Sequence, residues 1–314
     1  MATGMRRALL LLAAFLAAPA AADPQRHPAP QPVVREALAP AVVPTPAPPL
    51  KPALWKLADP DTTIWLFGTI HVMPKGQQWF VGPLAAAADG SGELVTELGE
   101  IDQNELLAAV LDLGFLPPGQ TLRGLMAPAD RAAFEAALAR LGEPVEKYER
   151  IKPWYAANLI LLAQLRAAGI EAINGPEGFL TDRFKASARP SKGLETVRYQ
   201  LGLFDALPQE VQLAYLREVV AGGAKVVAEV DKITGEWGQG QAESLAVTMN
   251  EASDDPIMYE RLLVERNKIW GQWLKARLDQ PGTVFVAVGA GHLAGKGSVQ
   301  DQLAALGLTA TRVQ

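Results

Sequence analysis

Residues 63–71 read TIWLFGTIH. A run of β-branched and aromatic residues predicts a buried strand. It ends at Gly68, and His71 follows three residues later. Glycine there permits a sharp turn or a close backbone approach. The histidine then hangs over the C-terminal edge of the strand. Far along the chain, residues 283–292 read TVFVAVGAGH. This is again a strand ending in Gly-x-x-His, with Gly289 and His292 in the motif positions. In both places a lysine and a glycine stand four and five residues after the histidine, as Lys75-Gly76 and Lys296-Gly297. The chain has three histidines, and His27 lies in a proline-rich stretch, so the pair uses every histidine of the expected folded region. Two turns whose glycines merely end strands are the bland alternative. The recurrence of the whole pattern argues against it.

Two such strands side by side would aim two imidazoles at one point, on the edge where open α/β sheets bind ligands. Neutral imidazole is the commonest metal ligand, and two of them with a carboxylate make an open catalytic site. Glu97 is the first candidate carboxylate. It closes GELVTEL, an apolar strand, where a charge is unfavourable unless paired or on a metal. A strand-end acid facing water is the alternative. Glu195 in GLET is the second candidate, as a ligand, a general base or an orienting partner. A helix-start acid favoured by the dipole is its alternative. Arg266, in the ERN run, could stabilise an oxyanion or simply lie on a solvated helix face. Lys75 and Lys296 could meet anionic substrate groups or water, and Glu177 in NGPEG is a weaker candidate acid that also reads as a turn residue.

Between the two motifs the pattern is mostly helical. Segments such as PADRAAFEAALARLG and KPWYAANLILLAQLRAAG carry helical spacing, a glycine stop and a proline suited to a first turn. Residues 208–237 and 256–282 read as two long amphipathic helices. The order is β-rich, then helical, then β-rich. The fold class expected is therefore α/β, with distant strands sharing one central sheet and a large helical insertion between them.

The start of the chain reads as a targeting signal: Arg6 and Arg7, the apolar run ALLLLAAFLAA, then AAA with cleavage expected after Ala22. A retained anchor is the alternative. Residues 23–53 hold ten of the 24 prolines and read as a linker, leaving 54–314 as the folded domain. The expected location is periplasmic or secreted, with no transmembrane span once the signal is removed. The net charge of −5, with both signs interspersed, gives no case for nucleic acid. There is no cysteine, which excludes disulfides and a thiol nucleophile, so any metal must sit on His, Asp or Glu. The Gly-x-Ser-x-Gly elbow, P-loop, Rossmann fingerprint and HExxH are absent.

Together, LWKLADPDTTIWLFGTIHVMP, LVTEL, GLET, ERN and PGTVFVAVGAGHLAGKGSV resemble the TraB/PrgY/GumN family. The look is closest to exported bacterial GumN-like proteins. The animal TIKI proteins, metal-dependent proteases, belong to the same superfamily. The resemblance implies a central mixed sheet built from two related halves, as in the erythromycin esterase and ChaN-like haem-binding groups. It places the family's paired histidines on His71 and His292, its acids on Glu97 and Glu195, and its helix polar cluster on Arg266 and Asn267. It also implies an exported metal-dependent hydrolase, a peptidase acting on a peptide or protein. A divalent ion (Zn, Mn or Co) would sit on His71, His292 and Glu97 and activate water, with Glu195 or Glu97 taking the proton. The alternative is a non-catalytic haem- or metal-binding protein of the cell envelope. Where many relatives carry GVD after the central helix, this chain departs from the pattern and reads NGPEG.

Overall fold

The computed structural model describes residues 48–73, 76–170, 175–251 and 255–314. The expected signal, its Ala22 cleavage site, most of the linker and Lys75 lie outside the described residues. Strands β1 (Leu54–Ala58) and β2 (Thr62–Thr69) form an antiparallel hairpin. Its turn is set by Asp59, whose carboxylate accepts from the backbone N–H groups of Asp61 (3.1 Å) and Thr62 (2.7 Å). Helix α1 (Gly82–Asp89) and β3 (Glu93–Thr96) follow.

The helical section then runs through α2 (Gln103–Leu113), α3 (Pro128–Leu141), α4 (Pro153–Ala167) and α5 (Pro176–Ala186). It is interrupted by the three-residue β4 (Ser191–Gly193) and continues as α6 (Val197–Asp205), α7 (Gln209–Gly222), α8 (Val226–Gly238) and α9 (Ala242–Ala246). A π-helical turn (Val247–Glu251), the short α10 (Pro256–Tyr259) and a second π turn (Glu260–Val264) lead into α11 (Glu265–Leu278). The chain closes with β5 (Gly282–Gly289), α12 (Val299–Ala305) and β6 (Thr311–Arg312). The single helix expected over 208–237 is split by a 3₁₀ turn at Gly223–Lys225. Two successive glycines weaken the helix there, and Gly223 packs so tightly on Gln164 that a Cβ would lie 2.9 Å from its Nε2.

The six strands form one mixed sheet in the order β4-β3-β5-β2-β1-β6. Neighbours from β4 to β2 are parallel; β1 runs antiparallel to both β2 and β6. Distant strands do share one sheet, with the helical section between them in sequence. Sheet position explains the composition of β5. Val284, Val286 and Val288 face one buried layer, with Trp270 and Leu274 of α11 and Leu303 of α12. Phe285 and Ala287 face the other, with Phe67, Leu94 and the apolar faces of α4, α7 and α8. A strand covered on both faces reads as continuously apolar. Among the described residues, no helix is long and apolar enough to cross a membrane.

Candidate active site at the C-terminal edge of the sheet

The strand order dictates the order of the site. β4, β3, β5 and β2 are parallel neighbours, so their C-terminal ends line one edge. The residues that follow those ends are, in turn, Glu195, Glu97, His292 and His71. The ladder continues past the strands, with Leu194 N–H donating to Thr96 O (2.9 Å) and Glu195 N–H to Glu97 O (2.8 Å). Gly193 makes this crossing possible. A Cβ there would lie 2.6 Å from the carbonyl carbon of Leu98, closer than real contacts permit. Gly68 plays a similar part on β2, where a Cβ would lie 2.9 Å from Ala290 Cα, in the turn that carries His292.

Helix α11 lays Arg266 across three of these four ends. Its Nη2 donates to Glu97 Oε2 (2.5 Å) and Glu195 Oε2 (2.9 Å), and its Nε to Glu195 Oε1 (2.9 Å). Its Nη1 faces His292 Nε2 (3.1 Å) and donates to Leu262 O (3.2 Å), a carbonyl of the second π turn. A guanidinium has five N–H groups, and these contacts engage all of them. The acids are equally committed. Glu97 Oε1 accepts from Gly289 N–H (2.8 Å), and Glu97 Oε2 also accepts from Gln200 (3.0 Å). Glu195 accepts from Gln200 (2.8 Å) and from the Trp270 indole (2.9 Å). The side chains of Arg266, Glu97 and Glu195 are almost wholly buried.

Asn267 fixes the tautomer of His292. Its amide nitrogen donates to Gly297 O (2.9 Å), so its oxygen faces His292 Nδ1 at 2.6 Å and must accept. Nδ1 therefore carries the proton, and Nε2 offers its lone pair to Arg266. Trp270 closes over the ring, with centroids 4.4 Å apart. The first π turn also serves this loop, since Asn250 donates to Gly291 O (2.5 Å). π turns often mark functional segments, and here both touch the site.

His71 is different. It is buried, yet no side-chain hydrogen bond holds it among the described residues. It lies within electrostatic reach of Glu97, Arg266 and His292. Glu177, in the first turn of α5, joins from the same side. Gly175 packs against the backbone of Ile70 and His71, where a Cβ would lie 2.8 Å from Ile70 O. The Glu97 backbone N–H faces the Glu177 carboxyl and tempers its rise.

The charges sort accordingly. Burial pushes His292 down to about 3, helped by Arg266 and opposed by Glu97. Burial also lowers His71, with Glu97 opposing and Arg266 assisting. Burial would raise Glu97, but Arg266, the histidines and the Gly289 N–H hold it at about 2. Glu177 is raised to about 8 by burial and by the charge of Glu97. Burial would lower Arg266, and its two carboxylates reverse this and raise it. At neutral pH the cluster therefore holds two neutral imidazoles, an ionised Glu97, a charged Arg266 and a protonated Glu177.

Every site residue expected from the sequence except Lys75 and Lys296 falls in this cluster. Lys75 is outside the described residues, and Lys296 is exposed. Gln200 and Trp270 are the members that sequence reading missed, and Glu177 is the weaker candidate that read as a turn acid. The spacing of Arg266 and Trp270, four residues apart on one helix face, was the available signal for Trp270. The donor types suit a divalent ion, but the donor atoms are taken. His292 Nε2 and Glu97 Oε2 both point at Arg266, and among the described residues no trio of His, Asp or Glu is disposed to hold a metal. As arranged, the residues do not fit the ion expected on His71, His292 and Glu97. Haem ligation through His292 meets the same obstacle.

The fold and this edge define a class: a parallel-centred α/β domain with a buried acid–arginine–histidine cluster fed by two Gly-x-x-His loops. The chain belongs to the TraB/PrgY/gumN family, whose profile matches residues 53–312. No curated protein and no solved structure matches it.

Proposed function

We propose that the protein is an exported hydrolase acting on a peptide or related carbonyl substrate, with His71 and Glu177 as its proton-transfer pair. One observation carries this reading: Arg266, Glu97, Glu195 and His292 are held by hydrogen bonds to one another and to their neighbours, while His71 beside them has no side-chain hydrogen bond among the described residues. A neutral imidazole with a free lone pair is a base, and a protonated carboxyl is an acid. Environments that push two titratable groups apart in this way mark acid and base assignments. His71 takes a proton from water, and the hydroxide adds to the scissile carbonyl carbon. As the bond to the leaving atom breaks, Glu177 gives that atom its proton. The proton on His71 then returns to Glu177 through solvent. In this scheme Glu97, Glu195 and Arg266 hold the frame and set its field, and Arg266 has no N–H left for an oxyanion.

Export rests on the leader-like residues 1–22, and the hydrolase class on the family resemblance, including the TIKI-like likeness. The two strand–Gly-x-x-His–helix–strand units support reading the sheet as two related halves. Divalent-metal hydrolysis is the rival, favoured by two neutral imidazoles and a carboxylate meeting at one edge. It requires the guanidinium to leave. Haem or metal binding without turnover is a second rival, carried by the His71 ring, which has no side-chain hydrogen bond among the described residues.

The test is a panel of fluorogenic peptide and ester substrates. Turnover should persist in EDTA and disappear in His71→Ala and Glu177→Gln proteins of unchanged circular dichroism. Turnover abolished by EDTA and restored by Zn, Mn or Co would establish the metal rival. A Soret band on haem titration, lost in His71→Ala and without turnover of any substrate, would establish the binding reading.

A further inference from the structure

We infer that Arg266 is the resident cation of this centre, standing where a divalent ion would otherwise be held by His292, Glu97 and Glu195. The argument is one of saturation. A cation site is a set of lone pairs converging on a point. Here the imidazole Nε2 and three carboxylate oxygens converge on a single guanidinium, at 2.5 to 3.1 Å. That arrangement is fixed from behind. Asn267 sets the His292 tautomer, Gly289 N–H and Gln200 hold Glu97, and Trp270 and Gln200 hold Glu195. These are the kinds of partner that orient metal ligands in metal centres. The guanidinium is itself anchored to Leu262 O and stacked at 4.8 Å on the Trp270 ring.

A second cation inserted among these atoms would meet a positive charge buried away from the solvent-exposed surface. The wild-type centre should therefore reject divalent ions. Removing the guanidinium leaves one imidazole and two carboxylates around a vacated volume, a ligand set of the type found in catalytic zinc sites. The inference does not depend on the hydrolase reading, and its measurement involves no substrate.

The experiment uses the purified folded chain, stripped with chelator and then titrated calorimetrically with ZnCl₂ and MnCl₂. Metal content is measured in parallel on protein as purified. Wild type should carry no stoichiometric metal and show no saturable binding that depends on His292. Arg266→Ala should gain one site, and the metal should raise its melting temperature by mass action. The gain should vanish in Arg266→Ala/His292→Ala. One equivalent of metal on wild type, lost in His71→Ala or His292→Ala, overturns the inference. So does a folded Arg266→Ala that binds no ion. If Arg266→Ala is not recovered folded even with metal present, the wild-type titration decides alone.

Discussion

His292 and His71 leave adjacent parallel strands through the same Gly-x-x-His spacing, yet their surroundings diverge. His292 is gripped by Asn267 on one ring nitrogen, by Arg266 on the other and by the Trp270 ring across its face. His71 is buried in the same cluster with no side-chain hydrogen bond among the described residues. The difference arises on the two faces of the sheet edge. The β5 turn lies against α11, which supplies all three of His292's partners, whereas the β2 loop lies against Gly175 and the start of α5. A repeated motif has been divided into one imidazole fixed at both ring nitrogens and one with no side-chain hydrogen bond among the described residues.

The strongest way to break this comparison is to remove the grip. Arg266→Ala strands two buried carboxylates, and the loss of stability in urea denaturation without added metal should be about 3–5 kcal/mol. His71→Ala strands no hydrogen-bond partner among the described residues and leaves only the cavity of a buried ring, so it should lose about 1–3 kcal/mol, less than Arg266→Ala, by the same measurement. Comparable losses in the two variants would mean that His71 is also a structural group. With a substrate in hand the ranking reverses for turnover: His71→Ala should reduce kcat by about 10²–10⁴ per folded molecule.

A smaller effect separates the two histidines directly. His292→Ala empties a similar buried volume and also leaves Asn267 Oδ1 and one Arg266 N–H without partners, so it should destabilise by about 1–3 kcal/mol more than His71→Ala. Gly289→Ala sharpens the same point from the backbone. Its Cβ would sit 3.0 Å from Glu97 Oε1, and the strain should lower stability by about 1 kcal/mol or more.

The pH dependence of stability gives the finest test. His292 and His71 have lowered values, so their contribution is present above the ordinary histidine range and is lost as pH falls, for His292 toward about 3. Glu97, held at about 2, adds a further loss on the acid side as pH falls below the ordinary carboxylate range. Glu177 has the opposite sign. Its raised value contributes stability fully present below the ordinary carboxylate range and lost as pH rises through about 8. Glu177→Gln should therefore flatten the decline toward pH 8 and leave the acid limb unchanged, as read from denaturation midpoints across pH.

Much of this was legible in the sequence. The alternation and apolar runs of β1, β2, β3 and β5 mark their strands, and the recurrence of Gly-x-x-His marks the edge. Glu97 and Glu195 stand out because an acid ends an otherwise apolar step. What was hidden depends on side-chain direction and on pairing across long sequence gaps. Nothing local shows that Arg266 spends every N–H on its neighbours, so it reads equally as an oxyanion donor. Glu177 reads as a turn acid because its placement depends on Gly175 lying against Ile70 and His71. Gln200 looks like an ordinary helix residue until β3 and β4 are seen to pair.

The placement of β5 has a consequence for how the molecule comes to exist. It is the penultimate strand in sequence, but it lies between β3 and β2, bonded to both. A chain that emerges from its N-terminus must hold those two strands apart, with unpaired edges, until residues 282–289 arrive to join them. Such long-range closure slows folding. The same event delivers His292 to Arg266 and completes the edge, so maturation and competence coincide, and a chain cut short before β5 has neither a closed sheet nor an assembled centre.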